Sequence, residues 1–153
     1  RKQDAMDMTR TAPKLLWLDS FEMGIRELDK EHKQLFTELN ELMDCLEQVP
    51  ADEEERAALT ARLAAVITHH KAHYAHEETL MARRKYAGLE THAREHRRLE
   101  KESDMMFETF TALPPSANEG RRTLALRIRD GLLDHFLHYD LRYKSHMLDA
   151  MGR

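Results

Sequence analysis

Seven histidine and carboxylate residues in this chain have the types and spacing of metal ligands. The densest group is the segment His73-Tyr74-Ala75-His76-Glu77-Glu78, in which His73 and Glu77 are four residues apart. His92 and His96 repeat this spacing, which places both members of a pair on one face of an α-helix. The other three candidates are His32, His135 and Asp140. Converging imidazole and carboxylate groups of this kind can bind transition-metal ions.

The composition predicts an all-α domain around these residues. The chain of 153 residues contains only five glycines and four prolines, and a length of this order suits one domain with a single core. The net charge of −4 gives no basic face for nucleic acid, and no apolar run approaches the ~20 residues of a membrane span. The lone Cys45 excludes an internal disulfide, so we expect a reducing, cytoplasmic location.

Apolar residues that recur at steps of three and four predict four helices. The predicted helices cover about 25–48, 53–85, 89–113 and 116–150. Asp52 is the expected N-cap of the second helix, Gly88 is the expected break after it, and Ser116 or Asn118 is the expected cap of the fourth. Helices of similar length with short connections favour an antiparallel up-down-up-down four-helix bundle.

The segment before the first helix is predicted to form two parts. Residues 1–14 show no periodicity and are interpreted as a linker or tag-like segment, which leaves 15–150 as the bundle domain. The apolar stretch that follows contains the only tryptophan, Trp17. We expect an N-terminal arm that lies over the bundle and buries this side chain.

The predicted topology brings the polar residues of the helix seams to one level. His32 lies early in the first helix, and His73 with Glu77 lies late in the second. His92 and His96 are early in the third helix, and His135 and Asp140 are in the later half of the fourth. All seven residues are therefore about two turns from the same end of the bundle. Buried carboxylates without a cation are costly, and no lysine or arginine occupies the seams at this level. Seven ligands suit two octahedral ions bridged by both carboxylates.

One pair departs from the helical spacing. His135 and Asp140 are five residues apart, which an ideal α-helix places ~140° apart around its axis. Either a single π-type turn realigns the two side chains, or the aspartate reaches in from the edge of the seam.

In these residues the chain resembles the hemerythrin family, specifically its bacterial branch, from about Trp17 to Met147. The matching segments, in order, are Trp17-Leu18-Asp19-Ser20-Phe21, Gly24-Ile25, Leu28-Asp29-Lys30-Glu31-His32-Lys33-Gln34-Leu35-Phe36, His73-Tyr74-Ala75-His76-Glu77-Glu78 with Met81 and Tyr86, His92-x-x-x-His96, and His135-Phe136-x-x-x-Asp140. Each segment is a weak signal by itself, but their order and spacing together are highly specific.

The resemblance implies a non-haem di-iron centre that binds dioxygen reversibly. It assigns His92, His96 and His135 to one iron, and His32 and His73 to the other. Glu77 and Asp140 bridge the two ions, with a solvent-derived oxo or hydroxo group as third bridge. Dioxygen binds in the family at the iron with two histidines.

The expected lining of the dioxygen pocket is apolar. The candidate lining residues are Leu28, Leu35, Phe36, Val66, Leu99 and Gly131. Gly131 stands where the family often has tryptophan, and Ala87 stands after Tyr86, where the family commonly has proline. The missing bulk at Gly131 suggests a channel for solvent or a small ligand and hence faster autoxidation.

Dioxygen binding is the leading function, for carriage, storage or sensing, in a chain that is not itself expected to be an enzyme. A fused signalling domain is a possible partner, since the linker-like start suggests a domain of a larger protein. The alternatives are a di-iron oxidase or peroxidase, which would favour more carboxylates, and a structural zinc bundle, which would favour fewer ligands and cysteine. Five histidines remain, expected at the surface or as hydrogen-bonding neighbours of the site: His69, His70, His76, His138 and His146.

Overall fold

The computed structural model describes residues 14–150 and forms the predicted four-helix bundle. Its helices are α1 (Arg26–Leu46), α2 (Glu53–Arg83), α3 (Leu89–Ala112), α4 (Asn118–His135) and α5 (Leu141–Ala150). A π-helical turn, Phe136–Asp140, joins α4 to α5, so these three pieces form the long fourth helix of the bundle. A short 3-10 turn, Asp19–Phe21, precedes α1. Residues 1–13 of the expected linker lie outside the described residues.

The helices pack in a ring, each against the next along the chain, with α4 closing against α1. The pairs of oppositely charged side chains that join α1 to α2 show that these helices run in opposite directions. Glu41 pairs with Arg62, whereas Glu31, further back along α1, reaches His76, further on along α2. Helix pairs joined by short turns therefore place the start of one helix beside the end of the next.

The helix ends agree with the sequence analysis at one cap and differ at two places. Asp52 caps α2, since its side chain accepts a hydrogen bond of 2.8 Å from the backbone N–H of Glu55. Helix α2 ends before the expected glycine break, because Lys85 adopts a left-handed φ of 54°. The residue in the cap position before α4 is Ala117, which has no capping side chain, so the prediction of a side-chain cap there was wrong.

Two apolar clusters fill the bundle, one on each side of the polar layer. The larger, here called the apolar half, contains Leu15, Leu39, Leu42, Met43, Leu46, Leu59, Leu63, Val66, Phe110, Leu124, Ala125 and Ile128. The smaller, here called the tyrosine–methionine end, contains Met23, Leu28, Leu80, Met81, Tyr143 and Met147. None of the described helices combines the length and apolar composition that a membrane crossing requires.

The N-terminal arm lies over the bundle beside α1. The amide group of Asn40 forms two hydrogen bonds with Leu15, accepting from its N–H at 2.8 Å and donating to its carbonyl at 2.9 Å. Trp17 is half-buried and packs edge-on against Phe21 and Phe36, with Phe136 of the π-helical turn 6.0 Å away between ring centroids. The arm thereby covers the side of the polar layer that faces α1.

Candidate metal centre

All seven predicted ligand residues lie together in one buried layer that receives side chains from every helix of the bundle. Their exposed fractions do not exceed 5%. Helix α1 contributes His32 and α2 contributes His73 and Glu77. The remaining four come from the later part of the chain: His92, His96, His135 and Asp140.

The layer contains two groups of possible ligand atoms, each with all its atoms within 4.8 Å of one another. The first group comprises His92, His96 and His135 with both carboxylates, Glu77 and Asp140. The second group comprises His32 and His73 with the same two carboxylates. The division into three and two histidines is the one that the resemblance implies.

Each carboxylate turns one oxygen toward each histidine group. Oε1 of Glu77 lies 2.7 Å from Nε2 of His92, while Oε2 lies 3.1 Å from Nε2 of His73. Oδ1 of Asp140 lies 3.2 Å from Nε2 of His135, while Oδ2 lies 3.5 Å from Nε2 of His32. The two carboxylates are therefore placed to be shared by both groups.

The π-helical turn explains how two residues five apart reach the same place. A π-type turn has one more residue per turn than an α-helix, so residues i and i+5 come onto one face. Between His135 and Asp140 the fourth helix has this form, and both side chains enter the buried layer. Of the two alternatives from the sequence, the structure has the π turn.

The donor atoms fit a pair of cations better than they fit one another. Nε2 of His32, His92, His96 and His135, both oxygens of Glu77 and Oδ1 of Asp140 are buried without a hydrogen-bond partner, although they lie within a few ångströms of each other. Their short separations thus arise because lone pairs converge, and not because donors face acceptors in hydrogen-bond geometry. Buried polar atoms left without partners are costly, and positive ions placed among them would satisfy them together.

The pKa values of the ligand side chains also indicate that this layer favours positive charge. Burial would raise the pKa of Glu77, but the imidazoles of His32 and His73 beside its oxygens hold it well below its usual value. Burial would lower the pKa of His73, but Glu31 and Glu77 raise it to about 10. Asp140 and Glu77 likewise raise the pKa of His92 to about 9 despite its burial. A metal ion would have to displace protons from these imidazoles.

Comparison with known proteins agrees with this geometry. The family model described as the hemerythrin HHE cation binding domain matches residues 23–145. The chain belongs to the hemerythrin family. Among curated proteins, a myohemerythrin of Theromyzon tessulatum is 27% identical over 129 residues, which cover 84% of this chain and 90% of that protein. No solved structure gives a significant match.

Residues beside the seven candidate ligands hold these side chains in place. The sequence analysis gave no such role to two of them, Glu31 and Tyr74. Oε1 of Glu31 lies 3.1 Å from Nδ1 of His73, which fixes that ring with Nε2 toward the carboxylates. Tyr74 stacks on His96 at 4.2 Å between ring centroids. Asp29 is buried and accepts hydrogen bonds from the N–H groups of Met23 and Gly24. It fixes the loop before α1.

The five other histidines lie outside the ligand groups. His69 and His138 are exposed, and His76 and His146 are half-buried. His76 approaches Glu31 at 2.6 Å, so it extends the contact between Glu31 and His73 to the surface. Of these five, only His70 is buried, and its Nδ1 lies 2.8 Å from the carbonyl oxygen of Val66.

The residues expected to line one pocket line different spaces. Leu35 and Phe36 border a cavity of about 30 Å³ next to His32, His73 and Asp140. Val66, Leu99 and Gly131 border a second cavity of about 60 Å³, further into the apolar half. Leu28 belongs to the tyrosine–methionine end, on the other side of the polar layer. The two cavities share the side chains of His70, Tyr74 and Leu132.

Proposed function

We propose that this hemerythrin-family chain holds two iron ions at the seven buried residues and binds dioxygen reversibly. His92, His96 and His135 would hold one ion, His32 and His73 the other, and Glu77 and Asp140 both. The observation that supports this most strongly is the orientation of the two carboxylates, with one oxygen toward each histidine group. A pair of iron ions, with an oxo or hydroxo bridge, would supply the electrons that reversible dioxygen binding requires.

The unequal histidine groups support a specific place for the ligand. The group with His32 and His73 offers one imidazole fewer, so an ion held there would have fewer protein ligands and could take an external one. The cavity of about 30 Å³ lies on this side and is lined mainly by apolar side chains, among them Leu35, Phe36 and Phe136. Apolar walls exclude bulk water and favour a small neutral molecule.

The composition of the centre supports binding in preference to catalysis. Five neutral imidazoles and two carboxylates supply less negative charge than the carboxylate-rich sets typical of oxygen-activating bundles. The role for the cell would then be dioxygen carriage or the sensing of oxygen or redox state, with readout through the arm that carries Trp17. That arm contacts Phe136, whose ring lies 5.1 Å from His32.

A peroxidase- or oxidase-type activity is the second candidate, and one contact favours it. The phenol of Tyr74 stacks directly on His96 and is almost completely buried. A tyrosine in contact with a metal-bound imidazole can deliver an electron, which an oxygen carrier does not need.

An optical spectrum distinguishes these functions. The anaerobically reduced protein should be nearly colourless, and air should produce charge-transfer bands in the near-ultraviolet and visible range. Bleaching under vacuum would support reversible dioxygen binding. Bands that never reverse would instead indicate an oxidase or a redox sensor, and a Tyr74→Phe variant that restores reversibility would assign the difference to the phenol. If no bands form and metal analysis finds only zinc, the di-iron proposal is wrong.

A further inference from the structure

The larger of the two cavities that share His70, Tyr74 and Leu132, here called the Gly131 cavity, has an inner end beside the metal centre and a polar mouth. Its inner wall includes His70 and Tyr74, and its outer part is bordered by Glu102, Ser103 and Arg127. The volume is about 60 Å³. The cavity exists partly because residue 131 is glycine, since a Cβ built there would meet no atom within 4 Å.

His70 brings a hydrogen-bond acceptor to this inner end. Its Nδ1 lies 2.8 Å from the carbonyl oxygen of Val66, so Nδ1 carries the proton and donates to that oxygen. The other nitrogen, Nε2, is then an acceptor, and it makes no hydrogen bond to any residue in the part of the chain that the structure describes. Burial lowers the pKa of His70 to about 4, which keeps the ring neutral and Nε2 an acceptor at neutral pH.

The size of the Gly131 cavity limits what this acceptor can meet. One water molecule needs about 10–15 Å³ of such space, and a cavity of about 150 Å³ holds benzene. A space of about 60 Å³ lies between these values, so it suits a molecule of a few heavy atoms. The wall is mostly apolar, with Leu63, Leu99 and Ile128 among its residues, and therefore favours a ligand that is uncharged.

We propose that the Gly131 cavity is a binding site for a small neutral O–H compound, of the size of methanol or hydrogen peroxide, whose hydroxyl donates a hydrogen bond to Nε2 of His70. The site is separate from the metal ligands, and its occupation does not depend on the proposed di-iron centre. His70, Tyr74 and Leu132 form the partition between this site and the cavity beside His32 and His73.

Methanol is a suitable probe because it is small, neutral, unreactive and protic. The protein, labelled with ¹⁵N-histidine and carrying its own metal, would be titrated with methanol while the ¹⁵N shift of His70 Nε2 is followed by NMR. An acceptor nitrogen moves upfield when it receives a hydrogen bond, so we expect a saturable upfield shift. The exposed His69 is the internal control and should respond only linearly, as to bulk solvent.

Two control titrations test whether the response comes from binding in the cavity. tert-Butanol carries the same hydroxyl but is too large for the cavity, so the His70 shift should not saturate with it. Gly131→Leu fills the cavity from a helical position where a Cβ has room, and should abolish the methanol response. The proposal is overturned if methanol gives no saturable shift, if tert-butanol gives the same curve, or if Gly131→Leu responds like the unmodified protein. A cavity that holds only water gives the first of these results.

Discussion

The apolar half and the polar layer of this bundle are both buried and lie on the inward faces of the same helices. Different interactions stabilise them: burial of apolar side chains in the first, and pairing of opposite charges in the second. In the apolar half, side chains such as Leu42, Leu63 and Ala125 expose at most 1% of their surface and need no particular partner. In the polar layer, Glu77 and His96 are just as enclosed, but each atom needs a charge opposite it. Helical periodicity therefore decides which residues are buried, and residue type decides what the buried layer requires.

The largest expected effect comes from removing a charge that both histidine groups share. Glu77→Gln replaces one of the two carboxylate oxygens with an amide nitrogen, so one proposed ion loses its oxygen ligand and both lose the shared negative charge. We expect the purified variant to retain little or no tightly held metal, measured by mass spectrometry of metal content against protein concentration. Glu54→Gln, an exposed change on the same helix, should leave the metal content unaltered. Equal metal in both variants would mean that Glu77 is not a ligand.

The matching change in the apolar half should affect stability and leave the metal in place. Leu63 is 1% exposed, and truncation of a leucine enclosed in this way costs about 2–5 kcal/mol of unfolding free energy. Leu63→Ala should show this loss in chemical denaturation while its metal content stays that of the unmodified protein. The exposed Leu137→Ala is the control, with a change near zero. Loss of metal from Leu63→Ala would show that the two regions are not separable.

His70 lies between the two regions, and its burial predicts a pH dependence of stability. Its pKa is about 4 in the folded protein, against 6.5 for an unperturbed histidine, so the unfolded state binds more protons between these values. Stability should therefore fall as the pH is lowered from about 6.5 toward 4, with a contribution from this residue of up to about 3 kcal/mol.

Replacing this side chain should remove that part of the pH dependence. Denaturation midpoints of His70→Leu at a series of pH values should change less than those of the unmodified protein. His69→Leu, at the exposed neighbouring position, serves as the control. A pH profile of His70→Leu parallel to the unmodified one would contradict the burial argument.

The smallest expected effect concerns access to the centre from the apolar half. Gly131→Trp fills the Gly131 cavity, which borders the partition to the metal side. Autoxidation of the oxygenated protein, followed as decay of its visible bands, should slow by a few-fold, equivalent to about 1 kcal/mol in the barrier. Thr123→Trp, exposed on the same helix, should have no effect. An unchanged rate in Gly131→Trp would exclude this route.

Much of the polar layer could be predicted from the sequence because helical spacing and topology act together. Steps of three and four residues put His32, His73 and His92 on inward faces, and antiparallel packing put these faces at one level. The interval of five between His135 and Asp140 was informative because it breaks the helical period. It predicts a realigning π turn or an edge position, and the structure has the turn.

The features that were missed depend on contacts between side chains rather than on periodicity. Glu31 faces both outward and toward α2, so its contact with His73 has no signature in the helical pattern. The left-handed Lys85 ends α2 early, although lysine is not a residue that usually marks such a position. Leu28 lies one turn before His32, and only the three-dimensional packing shows that it faces the tyrosine–methionine end and neither cavity described above.

Anomalous X-ray diffraction at the iron absorption edge tests the di-iron proposal most directly. Crystals of the purified protein should show two strong anomalous peaks in the polar layer, with Glu77 and Asp140 between them. One peak should be surrounded by His92, His96 and His135, and the other by His32 and His73. A single peak, peaks at the zinc edge alone, or iron outside this layer would contradict a shared two-iron centre.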